Sequence, residues 1–263
     1  IFCAIYSFSI HWIFFIHGYF YQTEHYFDAT GSFTYISLSL ILIITSFINI
    51  NDSGFNPYSF IIGSMVIVWA LRLGSFLFKR VKEVGKDVRF LEMKKDFFWF
   101  LMTWTLSGLW VFLTYAAGLL AMTSINLETT FSYYQYFCLI IGSSLWIIGF
   151  VIEAISDHQK KVFRQNISNK GNFIKSGLWS WSRHPNYFGE IVLWTGIAVI
   201  ALPTMIGFKY IVLISPIFVY FLLTKISGIP MLEKSSDKKW GNDADYIDYK
   251  KNTPILFFKK PTL

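Results

Sequence analysis

The sequence predicts an all-α, polytopic integral membrane bundle of about seven transmembrane helices. Three observations carry that reading. Hydrophobic residues make up 54% of the 263-residue chain and charged residues only 15%, where a soluble domain has about 25% charged residues. Apolar runs, rich in 28 Phe, 15 Tyr and 10 Trp, recur along the whole length, so a cleavable leader does not account for them. The basic residues gather between particular runs rather than spreading evenly. Length alone would allow one or two soluble domains, but so much apolar surface has no place in water. One membrane-embedded domain over 1–263 is expected, ending in a basic tail at 230–263.

A hydrocarbon core about 30 Å thick needs about 20 mostly apolar residues. Seven runs qualify, at about 1–20, 33–50, 58–79, 97–124, 133–155, 186–202 and 209–230. The first opens on Ile1 rather than Met, so a native N-terminus is expected to precede it. The third is interrupted only by Arg72, the fifth ends in Glu153, and the seventh contains Pro216 and Lys225. Proline is tolerated in a span because neighbouring helices satisfy the freed carbonyl, so a kink is expected there. Period-2 alternation is absent from these runs, which excludes a membrane barrel.

Charge placement tests the number of spans. Lys79, Arg80, Lys82, Lys86, Arg89, Lys94 and Lys95 follow the third run. Lys160, Lys161, Arg164, Lys170, Lys175 and Arg183 follow the fifth, and Lys234, Lys238, Lys239, Lys250, Lys251, Lys259 and Lys260 follow the seventh. These are 20 of the 23 basic residues, and seven spans put all three groups on one side. The loops near Asn51–Pro57 and Ser124–Ser132 carry none. By the positive-inside rule the basic side faces the cytosol or matrix. The net charge of +7 then reflects topology, and nucleic acid is not expected as a partner. Which membrane is not legible.

Ionisable groups near a membrane are costly and point to function. Asp28, in the expected link between the first two spans, falls on the basic side, as do Arg72 and Lys225. Glu153, Asp157 and Arg164 share a stripe if the fifth helix continues. The densest segment is Gly177-Leu-Trp-Ser-Trp-Ser-Arg-His-Pro-Asn-Tyr-Phe-Gly-Glu190. Pro185 suits the first turn of a helix, whose free N–H groups, with Arg183 and His184 beside them, make an anion site. Asn186 and Glu190, four apart, share a face. Singly, each has a structural reading of comparable weight: Arg183 as a snorkelling anchor, Trp179 and Trp181 as an interfacial belt, and the acidic stripe as a solvated helix end. Their common depth favours a site that holds a phosphate-bearing cofactor.

Other chemistries find little support. The chain has no Gly-x-Gly pair and no phosphate-loop lysine motif. His11, His17, His25, His158 and His184 are never three or four apart, which argues against a histidine-box or zinc site, and no metal is expected. Cys3 and Cys138 sit inside apolar runs and read as apolar filler.

The Ser-Arg-His-Pro-Asn-Tyr-Phe-Gly-Glu core resembles the signature of the membrane steroid 5-alpha-reductase-like family, in its DUF1295 branch. Other segments agree in order: Asp28-Ala-Thr-Gly-Ser-Phe-Thr-Tyr35, Trp69-Ala-Leu-Arg-Leu-Gly74, Gly149-Phe-Val-Ile-Glu153 with Asp157-His-Gln159, Ser227-Gly-Ile-Pro-Met-Leu-Glu233, and Tyr246-Ile-Asp-Tyr249 with Pro254. The resemblance covers about 28–254. It implies a seven-span reductase that binds NADPH from the inner face and transfers hydride to the conjugated C=C bond of a lipophilic, steroid- or lipid-like enone. Carried over by position, Asp157, Arg164, Asn186 and Glu190 match cofactor contacts, with Glu153, Arg183 and His184 beside them. The family's catalytic tyrosine falls near Trp69, and Asp28 and Tyr187 are the candidates in its place. Membrane lipids and a lipophilic substrate are the expected partners. Two other readings share these motifs: an S-adenosylmethionine-dependent methyltransferase of the isoprenylcysteine or phospholipid type, and a non-catalytic subunit of a larger membrane assembly.

Overall fold

Residue spacing decides which face of each helix is buried. In the computed structural model, which describes residues 1–48, 55–84, 90–124 and 131–261, helix α1 (Phe2–Phe20) buries Cys3, Ser7, His11, Phe15 and Gly18. Steps of three and four residues place these on one stripe, while Ile5, Ile13 and Ile16 stay exposed. The helices that follow are α2 (Phe27–Ile48), α3 (Pro57–Val84), the short α4 (Phe90–Met93), α5 (Phe97–Met122), α6 (Tyr133–Gln165), α7 (Pro185–Ala201), α8 (Ile214–Phe221), α9 (Ile229–Trp240) and α10 (Ala244–Asn252). Among the described residues, seven helical segments are long and apolar enough to cross a membrane, and there is no strand. The expected all-α membrane bundle is what the structure shows.

The chain forms two compact units. The first comprises Ile1–Tyr136 and Ala201–Ser215. Its α1 and α5 meet where Ser7 donates to the Gly108 carbonyl at 2.8 Å, and α2 reaches α5 through Ser39 and the Tyr115 hydroxyl, also 2.8 Å apart. Phe15, Phe90, Phe100 and Trp104 form an aromatic core. Beside it, Lys94 donates to the buried Glu24 at 2.8 Å. Asn56 joins two helix ends at once: its amide donates to the Ala121 and Met122 carbonyls, and its oxygen accepts from the Tyr58 amide. Helix termini leave such groups unpaired, and in lipid an unpaired one is expensive.

The second unit comprises Phe137–Ile200 and Pro216–Leu263, and its frame is the α6–α7 pair. Gly142 and Gly149 on α6 face Gly196 and Gly189 on α7. A Cβ on Gly149 would lie 2.5 Å from the Gly189 carbonyl oxygen, and one on Gly142 would lie 2.6 Å from that of Gly196. Both pairs are seven residues apart, about two turns, so the backbones run antiparallel in direct contact. Small residues are what such contact requires in lipid. Below the second glycine pair, α6 continues with buried Glu153, Ser156 and Asp157.

Several boundaries differ from the sequence expectation. Helix α2 starts at Phe27 rather than 33, so Asp28 lies in its first turn, not in a link. There the helix dipole favours a carboxylate. Helix α3 runs to Val84 and α6 to Gln165, so Lys160, Lys161 and Arg164 are helical. At about 1.5 Å per residue the 33 residues of α6 outrun the hydrocarbon core. The seventh span is segmented rather than kinked at Pro216: a 3-10 stretch at Gly207–Leu213, then α8, a π turn at Leu222–Ile226, and α9. Pro216 sits in the first turn of α8, where its missing N–H costs nothing. The interruption falls at Ser227 and Gly228 instead, where the Ser227 amide bonds back to the Leu222 carbonyl at 2.9 Å. The uncharged loops expected near 51–57 and 124–132 lie largely, and Lys86 and Arg89 wholly, outside the described residues.

Replacing Gly149 by Val should destabilise the protein by about 1–3 kcal/mol through overpacking. A lowered thermal midpoint of the detergent-solubilised variant checks this. Gly31→Ala, where a Cβ meets nothing within 4 Å, should be neutral or slightly stabilising in the same assay.

Candidate functional site

The site is built around the chain leading into α7. Gly177 adopts a positive φ of 63°, and any Cβ there would lie 2.6 Å from the Gln159 side chain. Gln159 in turn accepts from the Leu178 amide at 2.9 Å. Trp179 is buried, its indole donating to the Ser156 carbonyl of α6 at 3.0 Å, and Lys160 stands over its ring. Trp179 is thus a packing element, whereas Trp181 is exposed. From the other side the C-terminal segment straps this loop. The Arg183 amide donates to the Pro254 carbonyl, the Lys259 amide to the Trp181 carbonyl, and the Ser182 hydroxyl to the Leu256 carbonyl, at 2.8 to 3.1 Å. The Tyr249 hydroxyl donates to the Trp179 carbonyl at 2.6 Å.

Helix α7 begins at Pro185, the start expected from the sequence. Arg183 and His184 immediately precede it, and both bind one carboxylate. Arg183 Nη1 lies 2.5 Å from Glu233 Oε2, and His184 Nε2 lies 2.8 Å from Glu233 Oε1. Lys250 of α10 adds a third partner at 3.5 Å and also contacts Asp237 at 2.5 Å. In the first turn of α7, the Asn186 amide donates to Asp157 Oδ1 of α6 at 3.3 Å. Asp157 and Glu153 are buried, and Glu153 lies beside Gly189, whose Cβ would come within 3.0 Å of the Glu153 Cβ. Glu190 is half-buried in the next turn. Tyr187 stacks on His184 at 5.8 Å between ring centroids and runs beside Gly228. Arg164, at the end of α6, is exposed.

The structure therefore places eight of the nine sequence-derived candidates in the second unit. It brings Asp157 to Asn186, Glu153 to the α7 backbone, and His184 to Tyr187. Asp28 belongs to the first unit, where its carboxylate faces Arg80 at 3.6 Å. Glu233 was not among the candidates, although it collects three basic side chains, Arg183, His184 and Lys250. Its signal in the sequence was its place at the end of the Ser227-Gly-Ile-Pro-Met-Leu-Glu233 segment, to which no role was assigned. Tyr249 was read only as part of the Tyr246-Ile-Asp-Tyr249 segment, and Lys250 only as part of the basic tail.

Three buried polar atoms here have no hydrogen-bond partner: Arg183 Nε, His184 Nδ1 and Asn186 Oδ1. Leaving such groups unmade costs about 1–3 kcal/mol each, which marks a place where a ligand or water belongs. Burial pushes the His184 imidazole below its usual range, against the opposing pull of Glu233. Burial also raises the Tyr249 phenol above the ordinary tyrosine range. At neutral pH His184 is uncharged. Since a carboxylate only accepts, Nε2 carries the hydrogen and Nδ1 is a bare acceptor.

Fold and site define a multi-pass membrane protein with a buried polar cluster at the start of α7. The chain belongs to the DUF1295 family, described as a protein of unknown function, whose profile matches residues 14–253. Relatives include 3-oxo-5-alpha-steroid 4-dehydrogenase 1 of Mus musculus, 36% identical over 62 residues, which is 24% of this chain and 24% of that protein. A probable 7-dehydrocholesterol reductase of Acanthamoeba polyphaga mimivirus is 25% identical over 223 residues, 77% of this chain and 46% of the relative. A probable O-methyltransferase, ustE, of Ustilaginoidea virens is 36% identical over 58 residues, 22% of this chain and 20% of the relative. The chain's match thus spans about a quarter of the steroid dehydrogenase's length. No solved structure matches it.

The state of His184 makes a pH prediction. The folded protein keeps it neutral, while the unfolded chain takes up a proton near about 6.5. Stability from this group is therefore full above that value and declines as pH falls from there toward the lower folded-state value. Thermal midpoints between pH 7.5 and 5 should fall more steeply for wild type than for His184→Gln.

Proposed function

We propose that this protein is a membrane reductase of the steroid or sterol type, using NADPH to reduce the conjugated C=C bond of a lipophilic enone. The observation that carries the reading is the wall formed at the start of α7, where the buried Asp157 holds Asn186 beside unpartnered Arg183 Nε, His184 Nδ1 and Asn186 Oδ1. One donor and two acceptors suit a nucleotide, whose amide and hydroxyl groups both give and take hydrogen bonds. The names of the steroid and sterol relatives support the same chemistry.

When bound, NADPH supplies the hydride, and the protein contributes position and electrostatics. Asp157 orients Asn186, and Glu153 and Glu190 line the adjoining turn as acceptors for ribose hydroxyls. Arg164, exposed at the end of α6, is the cation placed for phosphate. Reduction of an enone also needs a donor where negative charge develops on the carbonyl oxygen; Asp28 and Tyr187 are the groups we assign to that role. The substrate enters from the bilayer, and the basic ends of the helices face the cytosol or matrix.

The methyltransferase relative supports a second reading, in which the same wall receives S-adenosylmethionine. Titration of the detergent-solubilised protein separates the two. Micromolar NADPH binding with weak S-adenosylmethionine binding is expected, and the reverse order would replace the reductase reading. Binding of neither by a folded sample would favour a non-catalytic membrane subunit.

Asp157→Ala and Arg164→Ala should each weaken NADPH binding by about tenfold, the loss of one charge-assisted hydrogen bond; unchanged affinity in both would make the stripe structural. Asp28→Asn should lower turnover with little effect on NADPH affinity. A collapse of NADPH binding in that variant would instead move Asp28 into the cofactor site.

A further inference from the structure

Glu233 lies outside every segment considered for the cofactor, yet it organises that wall. Its two oxygens divide their partners: Oε1 takes the His184 imidazole at 2.8 Å, and Oε2 takes Arg183 at 2.5 Å and Lys250 at 3.5 Å. The carboxylate is mostly shielded, with its side chain 16% exposed, while the His184 side chain is 7% exposed. The charged groups that act on the ring are Glu233 from α9, Lys160 from α6 and the neighbouring Arg183, with Lys250 of α10 acting through Glu233. Tyr187 stacks on the ring's face. Without Glu233, a neutral imidazole could carry its hydrogen on either nitrogen. With it, the hydrogen stays on Nε2 and the opposite nitrogen stays bare and buried.

We propose that Glu233 is a positioning residue of the site: its carboxylate fixes the His184 ring with Nε2 protonated, and so presents Nδ1 as an acceptor for a ligand amide or hydroxyl group. The proposal rests on the nucleotide reading above and refines it. A bare Nδ1 repels a phosphate oxygen, and the Arg183 charge is already matched by Glu233. The two residues that the sequence assigns to the phosphates therefore serve the amide or sugar portion of the nucleotide. The phosphates fall to cations placed elsewhere, Arg164 first. This division follows from which atom can donate and which can only accept.

Nitrogen NMR of the imidazole rings tests the positioning role without any ligand. In 15N-labelled, detergent-solubilised protein, the His184 signal (identified by its loss in His184→Gln) should show a single neutral tautomer at pH 7, with Nε2 protonated. Glu233→Ala should mix the tautomers and weaken NADPH binding by about tenfold. Glu233→Gln, which keeps an acceptor for Nε2–H, should restore the tautomer and most of the affinity. It should also lower the pH at which the ring titrates, because the stabilising negative charge is gone. If Glu233→Ala does not fold, that shift in Glu233→Gln decides the matter. A wild-type ring protonated on Nδ1, or an Ala variant with unchanged ring and affinity, or an unshifted titration in the Gln variant, overturns the proposal. Failure of the wild type to bind NADPH would sink the cofactor reading alone, and the ring measurement would still decide the role of Glu233.

Discussion

The second unit depends on two helices touching backbone to backbone. In lipid, apolar side chains gain nothing by leaving the solvent for a helix interface, so association rests on close packing and on polar contacts. Gly142 and Gly149 against Gly196 and Gly189 supply the packing. The crossing has no room for a methyl group, and that closeness fixes depth as well as separation. It sets Glu153 against the first turns of α7 and lets Asp157, one turn further, reach Asn186. Buried carboxylates are tolerable there only because partners arrive at the same level.

A second constraint is how the polar groups at the mouth of α7 are paired. The strap from Pro254 to Lys259 satisfies the loop backbone, and Glu233 gathers Arg183, His184 and Lys250. After these contacts a donor and two acceptors remain unmade. The pattern of saturation matters more than the number of charges: cations that look available in one dimension are neutralised in three. Polar networks of this kind are rigid when complete, and this one has an incomplete edge at Arg183, His184 and Asn186.

Much of the fold was legible because membrane solvation is a coarse filter. Long apolar runs separated by basic segments leave few arrangements, and Pro185 marked the start of α7 to the residue. The helix ends were less legible. Residues such as Lys160, Lys161 and Arg164 leave the apolar run but are good helix formers, so α6 continues past the point where hydropathy stops. The π turn before Ser227 has no sequence signature comparable to a proline, and Pro216 drew attention away from it. Asp157 and Asn186 were read from a motif. Glu233 closed another of the quoted segments, but its role was not legible, because its partners Arg183 and His184 lie 50 and 49 positions upstream and no periodicity links them. The glycine spacing was visible in the chain, but glycines only become a contact once two helices are known to be neighbours.

The strap also orders events in time. The loop at Trp181–Arg183 is bonded to backbone atoms made well after it, those of Pro254, Leu256 and Lys259. During synthesis the seven apolar segments precede these strap residues, so those helices can enter the bilayer while the loop's polar groups still bond to water. Closure of the strap then follows insertion of these seven segments. A ribosome stalled just short of Pro254 would hold a chain with the seven segments made and the loop before α7 still unstrapped.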